Sequence, residues 1–241
     1  MARPAILFVH GAWHGAWCWE PLRQILETRG WTTTAVDLPT MHAPDKAALG
    51  MAADAEAVRA AIDASDGDVV VVAHSYGGIP ATQGAGAGKV THIVYISAFV
   101  LEQGESLSSA AGDGQPDWWY VEDGLAIAGT DARPVQSLFY ADVPAAEADA
   151  AAARLTSQSP RAYRDQVTAT AWRGRPTTYI ITEQDAVIPV AVQEALAARA
   201  GANTVRLATS HSPFLSRPAA VADIIERAAE RSRDDSDRGV R

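Results

Sequence analysis

Val69-Val70-Val71-Val72-Ala73 runs straight into His74-Ser75-Tyr76-Gly77-Gly78. Five apolar residues with no polar alternation read as a strand buried on both faces, the kind found in a parallel sheet covered by helices. The serine and glycines that follow read as a tight turn opening onto a helix, which requires small residues two places before and two after the serine. Those places hold Ala73, where glycine is usual, and Gly77. Working outward, Ala5 to Val9, Thr32 to Leu38, His92 to Ser97, Thr177 to Thr182 and Thr204 to Leu207 read as further strands. Between them lie helical spacings: Pro21, Leu22, Ile25 and Leu26, stopped by Gly30; Met51, Ala55, Val58 and Ile62, followed by an Asp66-Gly67 turn. Later helices are expected near Val190 to Ala200 and along Val221, Ile224, Ile225 and Ala228. The fold class is therefore α/β, with about six mostly parallel strands and helices on both faces.

Between Glu102 and Arg175 the alternation stops, and the segment holds Gly112, Gly114, Trp118, Trp119, Tyr120 and an alanine-rich helical stretch after Pro144. A structureless loop of that length does not suit a compact domain, so residues 102–175 are expected to form an inserted helical cap over a strand end. Residues 1–101 and 176–230 then make the core, and the charged residues 231–241 are expected to fray.

The chain has 241 residues, 48% hydrophobic and 20% charged, enough for one core without disulfides or metals. A net charge of −9 repels phosphate backbones and anionic lipid, so neither nucleic acid nor a membrane is an expected partner. The lone Cys18 can form no internal disulfide, and no apolar run approaches the roughly 18 residues of a membrane span, which together predict a cytoplasmic protein. No cofactor or metal is expected. Gly84 to Lys89 lacks phosphate-loop spacing, with Val90 where Ser or Thr is needed, and Gly11 stands where a zinc helix joining His10 to His14 would need glutamate.

A serine hydroxyl is a weak nucleophile until an imidazole, oriented by a carboxylate, takes its proton. On this kind of sheet the three follow in the order serine, acid, histidine. Ser75 is the candidate nucleophile, and Asp185, in the loop after Thr177 to Thr182, is the candidate acid. The candidate base is His211, in Ser210-His211-Ser212-Pro213 after the last strand. Glu183 and Glu102 are rival acids in less favourable surroundings. The oxyanion formed by attack on a carbonyl needs preorganised donors, each worth about 3 kcal/mol. The backbone amides of Ala12, after Gly11 at the end of the first strand, and of Tyr76 are the candidates. Trp13, His14, Trp118 and Trp119 are candidate substrate contacts, with a structural loop contact as the other reading of His14 and packing of the cap onto the core as the other reading of Trp118 and Trp119.

Phe8-Val9-His10-Gly11-Ala12-Trp13-His14-Gly15-Ala16-Trp17-Cys18-Trp19, with the serine turn, Thr182 to Pro189 and Ser210-His211, resembles the α/β-hydrolase branch of plant-type methyl esterases and hydroxynitrile lyases. The resemblance implies a six-stranded core, a helical cap, and no metal or organic cofactor. The lyases of that branch carry threonine at the place of Gly11 and lysine after the catalytic histidine; here Ser212 follows His211, leaving a departing cyanide without a cation. The expected activity is hydrolysis of small carboxylic esters, methyl or aromatic esters among them, through an acyl-enzyme. A slow-turnover ligand sensor and a carbon-carbon cleaving or decarboxylating relative remain open alternatives, as do monomer and homodimer.

Overall fold

The apolar run that opens with Val69 becomes an interior strand, flanked on both sides. The computed structural model describes residues 3–86, 88–112 and 116–237. Within them the strands are β1 (Ala5–Val9), β2 (Thr33–Val36), β3 (Val69–His74), β4 (Val90–Ile96), β5 (Trp119–Glu122), β6 (Leu125–Ala128), β7 (Thr177–Thr182) and β8 (Asn203–Leu207). Six form one parallel sheet in the order β2-β1-β3-β4-β7-β8. The main helices are α1 (Glu20–Thr28), α2 (Met51–Asp63), α3 (Gly78–Gly84), α4 (Ala145–Ala152), α5 (Val190–Arg199) and α6 (Pro218–Asp237).

Side chains alternate across a strand, so β3 feeds two cores. Val69, Val71 and Ala73 pack with Met51, Ala55, Val58 and Ile62 of α2, while Val70 and Val72 pack with Leu22 and Leu26 of α1 and with Val221 and Ile225 of α6. Each such aliphatic side chain, buried from water, contributes about 1.5–3 kcal/mol. This double burial is why β3 carries no polar residue before His74. Its two neighbours bring the loops after β1 and β4 to the same carboxyl edge.

The segment between β4 and β7 departs from the sheet. It contains α4 and short helical turns, as expected, and in addition the antiparallel hairpin β5-β6. Its neck is closed by two backbone bonds, Gly104 N to Val167 O and Val167 N to Glu105 O, each 2.8 Å. At the carboxyl terminus α6 runs to Asp237, so residues 231–237 of the charged tail continue the helix; residues 238–241 lie outside the described residues, as does Gly114 of the insertion.

Candidate active site

β3 ends at His74, and Ser75 follows with φ of +51°, a left-handed conformation that strains a residue with a side chain. The turn Ser75–Gly77 then leads into α3. A Cβ at Gly77 would lie 2.4 Å from the carbonyl oxygen of His10, and one at Gly11 would lie 2.7 Å from Nδ1 of His74 and 3.0 Å from Cβ of Ser75. The ends of β1 and β3 therefore touch through glycine, and any side chain there would push the serine away. Ser75, only 7% exposed, opens onto a cavity of about 490 Å³ that Ala12, Trp13 and Tyr76 also line.

At the same edge Nδ1 of His211 lies 2.7 Å from Oδ2 of Asp185, with both side chains buried. Asp185 also accepts from the amides of Val187 at 2.7 Å and Ile188 at 2.9 Å and from Oγ1 of Thr182 at 2.8 Å. Burial pushes its carboxyl up, but the imidazole and these donors outweigh that, and the group titrates below the ordinary carboxylate value. With Nδ1 turned to Asp185, Nε2 of His211 is left for a reacting proton. The His211 main chain is fixed too: its carbonyl accepts from Nε2 of His74 at 2.9 Å and from Oγ of Ser97 at 3.3 Å. Ser210 next to it donates to Asp142 of the insertion.

The loop after β1 is held by buried histidines. Nδ1 of His14 pairs with the carbonyl of Ala12 and its Nε2 with the hydroxyl of Tyr140, each at 2.8 Å. Burial lowers His14 to about 3, so the ring is neutral, donating from Nδ1 and accepting at Nε2. Of the two readings of His14, substrate contact or structural contact of the loop, these bonds favour the second, in which the ring holds the peptide that follows Ala12. Trp13, at φ of +62°, does line the cavity, as do Trp118 and Trp119. Its ring stands 5.6 Å from Trp118, 6.0 Å from Phe139 and 6.2 Å from Tyr163, forming an aromatic wall.

The rival acids point elsewhere. Glu183 pairs with Arg206 at 2.8 Å and Glu102 with Arg173 at 2.7 Å. His10, Asp37 and His42 bring ligand atoms within 4.8 Å of one another. However, Nδ1 of His10 bonds the carbonyl of Gly11 at 2.8 Å and its Nε2 accepts from the amide of Leu38 at 3.1 Å, which leaves no lone pair for a metal.

A model of the alpha/beta hydrolase family matches residues 6–224. The chain belongs to that family. Among its relatives, an alpha/beta hydrolase of Aspergillus novofumigatus (strain IBT 16806), nvfD, is 30% identical over 95% of this chain and 98% of its own. Methylesterase 7 of Arabidopsis thaliana is 33% identical over 106 residues, 39% of each chain, in keeping with the resemblance to plant-type methyl esterases. The crystal structure of another Arabidopsis methylesterase superposes with a TM-score of 0.79 at 22% identity, covering 94% of this chain and 99% of that one.

In this alpha/beta hydrolase the cavity draws on residues that the sequence does not single out. Leu107 and Tyr163 come from the insertion, Val187 and Ile188 from the loop that carries Asp185, and Val192 from α5. The Val187-Ile188-Pro189 run directly after Asp185 is the one local signal among them, since apolar residues in a loop beside a candidate acid need something to cover. Arg164 is the only charged residue lining the cavity among the described residues.

Proposed function

We propose that this protein is a serine carboxylesterase for small esters with an apolar or aromatic acyl group, methyl esters among them. The observation that carries this reading is the buried pair of Asp185 and His211, 2.7 Å apart, at the sheet edge where Ser75 stands strained at the foot of an apolar cavity. Nε2 of His211 takes the proton from Oγ of Ser75, which attacks the ester carbonyl; Asp185 balances the imidazolium. The amides of Ala12 and Tyr76 hold the oxyanion, and His211 returns the proton to the leaving alkoxide. Water then repeats the sequence on the acyl-enzyme. Residues 102–175 serve as the cap, presenting Trp118, Trp119 and Tyr163 to the acyl group. The likeness to a methylesterase in sequence supports the ester chemistry.

The test is hydrolysis of p-nitrophenyl acetate beside a panel of aromatic and aliphatic methyl esters, with wild type and Ser75→Ala. Turnover of many per minute that vanishes in the variant is expected. Near-wild-type turnover by Ser75→Ala, or negligible turnover by wild type on every ester, would overturn the reading.

A further inference from the structure

A second buried carboxylate adjoins the cavity. Asp54, in the first turn of α2, is fully buried and accepts three hydrogen bonds: from the hydroxyl of Tyr76 at 2.6 Å, from Oγ1 of Thr40 at 2.7 Å and from the amide of Thr40 at 2.9 Å. Among the groups acting on it the one basic side chain is His42, and burial pushes its carboxyl up to about 6. The chain of contacts continues into the insertion. Gln158 Nε2 donates to Oγ1 of Thr40 at 3.2 Å, and the hydroxyl of Tyr163 donates to Oε1 of Gln158 at 3.0 Å. Both tyrosines at the ends of this network, Tyr76 and Tyr163, line the cavity, with ring centroids 6.1 Å apart.

Packing alone does not call for this arrangement. An apolar ring at position 76 would fill the same space, and a buried carboxylate with so little compensating charge costs stability. What the carboxylate adds is a fixed end-point for the Tyr76 side chain. The Tyr76 amide belongs to the peptide plane that follows the strained Ser75, and an oxyanion donor works only within a few tenths of an ångström of its proper place. A residue pinned at its phenol end and at its backbone has little freedom to tilt that plane.

We propose that Asp54 is a positioning residue for the oxyanion site: by anchoring the Tyr76 hydroxyl it holds the Tyr76 amide in line with the carbonyl oxygen of the substrate. The inference rests on the serine esterase reading above. It concerns the Tyr76 side chain, which takes no part in the proton transfers themselves.

The experiment compares Tyr76→Phe, Asp54→Leu, their double variant and Asp54→Asn with wild type and Ser75→Ala, on p-nitrophenyl acetate and the best ester of the panel. Losing a whole oxyanion donor lowers kcat about 100- to 1000-fold, so loosening one is expected to lower it about tenfold, with KM within twofold. The double variant is expected to match the worse single, because the two residues act as one unit. Asp54→Asn, whose amide can donate to the phenol oxygen, is expected to keep most of kcat. The proposal is overturned if Tyr76→Phe keeps kcat within twofold, if the loss falls on KM, or if the two losses multiply in the double variant. Should Asp54→Leu fail to fold, Tyr76→Phe and Asp54→Asn decide alone. If Ser75→Ala is inactive while Tyr76→Phe is silent, only this inference falls; if Ser75→Ala stays active, or wild type turns over no ester, the esterase reading falls and takes this one with it.

Discussion

Nε2 of His74 donates to the carbonyl oxygen of His211 across 2.9 Å, tying the residue before the serine to the backbone of the candidate base. Burial holds His74 well below the ordinary histidine value, so the ring is neutral and carries its proton on Nε2. The strand that presents the serine and the loop that presents the imidazole are thus one rigid piece. Replacing His74 by Phe keeps a ring but leaves the His211 carbonyl with only the 3.3 Å contact from Ser97. A stability loss of about 1–3 kcal/mol is expected by urea denaturation, restored in part by His74→Gln, which can still donate. An unchanged denaturation midpoint in His74→Phe would show that the bond carries no weight.

Gly11 meets the same ring from the other side. A methyl group there would stand 2.7 Å from Nδ1 of His74, closer than real side chains come, and a tight 3.0 Å from Cβ of Ser75. Gly11→Ala is expected to fold, with a normal far-ultraviolet circular dichroism spectrum, and to lose about 100-fold in kcat as the serine is displaced. Retention of kcat within threefold would mean that the loop yields without moving Ser75.

Asp185 titrates below the ordinary carboxylate value, so it adds stability at neutral pH that fades as pH falls through its lowered value. Asp185→Asn should therefore be less stable than wild type by a constant margin from about pH 6 to 8, and the margin should shrink below about pH 4. Its kcat should fall by about 10⁴-fold, since the amide no longer secures the productive tautomer of His211. A margin that widens toward acid, read from melting temperatures across pH, would contradict the assignment.

Asp54 has the opposite sign. Its carboxyl is raised from 3.8 to about 6, so its favourable contribution is complete below the unfolded value and disappears as pH rises through 6. That difference corresponds to about 3 kcal/mol at neutral pH. Asp54→Asn should match wild type near pH 4 and exceed it in stability at pH 8. Equal melting temperatures at both pH values would remove the buried charge from the account.

Much of this arrangement is legible in the chain itself. The unbroken apolar run of β3 reveals a two-sided strand because only an interior strand can dispense with polar alternation. Asp185 and His211 are found from their places after strands, since strand ends in a parallel sheet share one edge. Other features depend on partners remote in sequence. The sequence leaves His14 open between substrate contact and loop support, and the partner that favours loop support, Tyr140, lies 126 residues away. Asp54 occupies the apolar face marked by Met51, Ala55, Val58 and Ile62, a mismatch visible in the helical period, but its reason lies in Tyr76. The hairpin β5-β6 does carry a local signal, Asp123-Gly124, both with positive φ, and helical spacing elsewhere in the insertion draws attention away from it.

The clasp between Gly104, Glu105 and Val167 is one of several ties between the insertion and the core: Tyr140 holds His14, Asp142 accepts from Ser210, and Gln158 donates to Thr40. The stretches between those ties can lengthen or shorten at little cost to the sheet, because closing a longer loop adds only about 0.6 kcal/mol for each doubling of its length. The scaffold and the chamber above it are thereby free to diverge at different rates, and exchanging the stretches between the ties, with Tyr140, Asp142 and Gln158 kept, is the natural route to a new specificity.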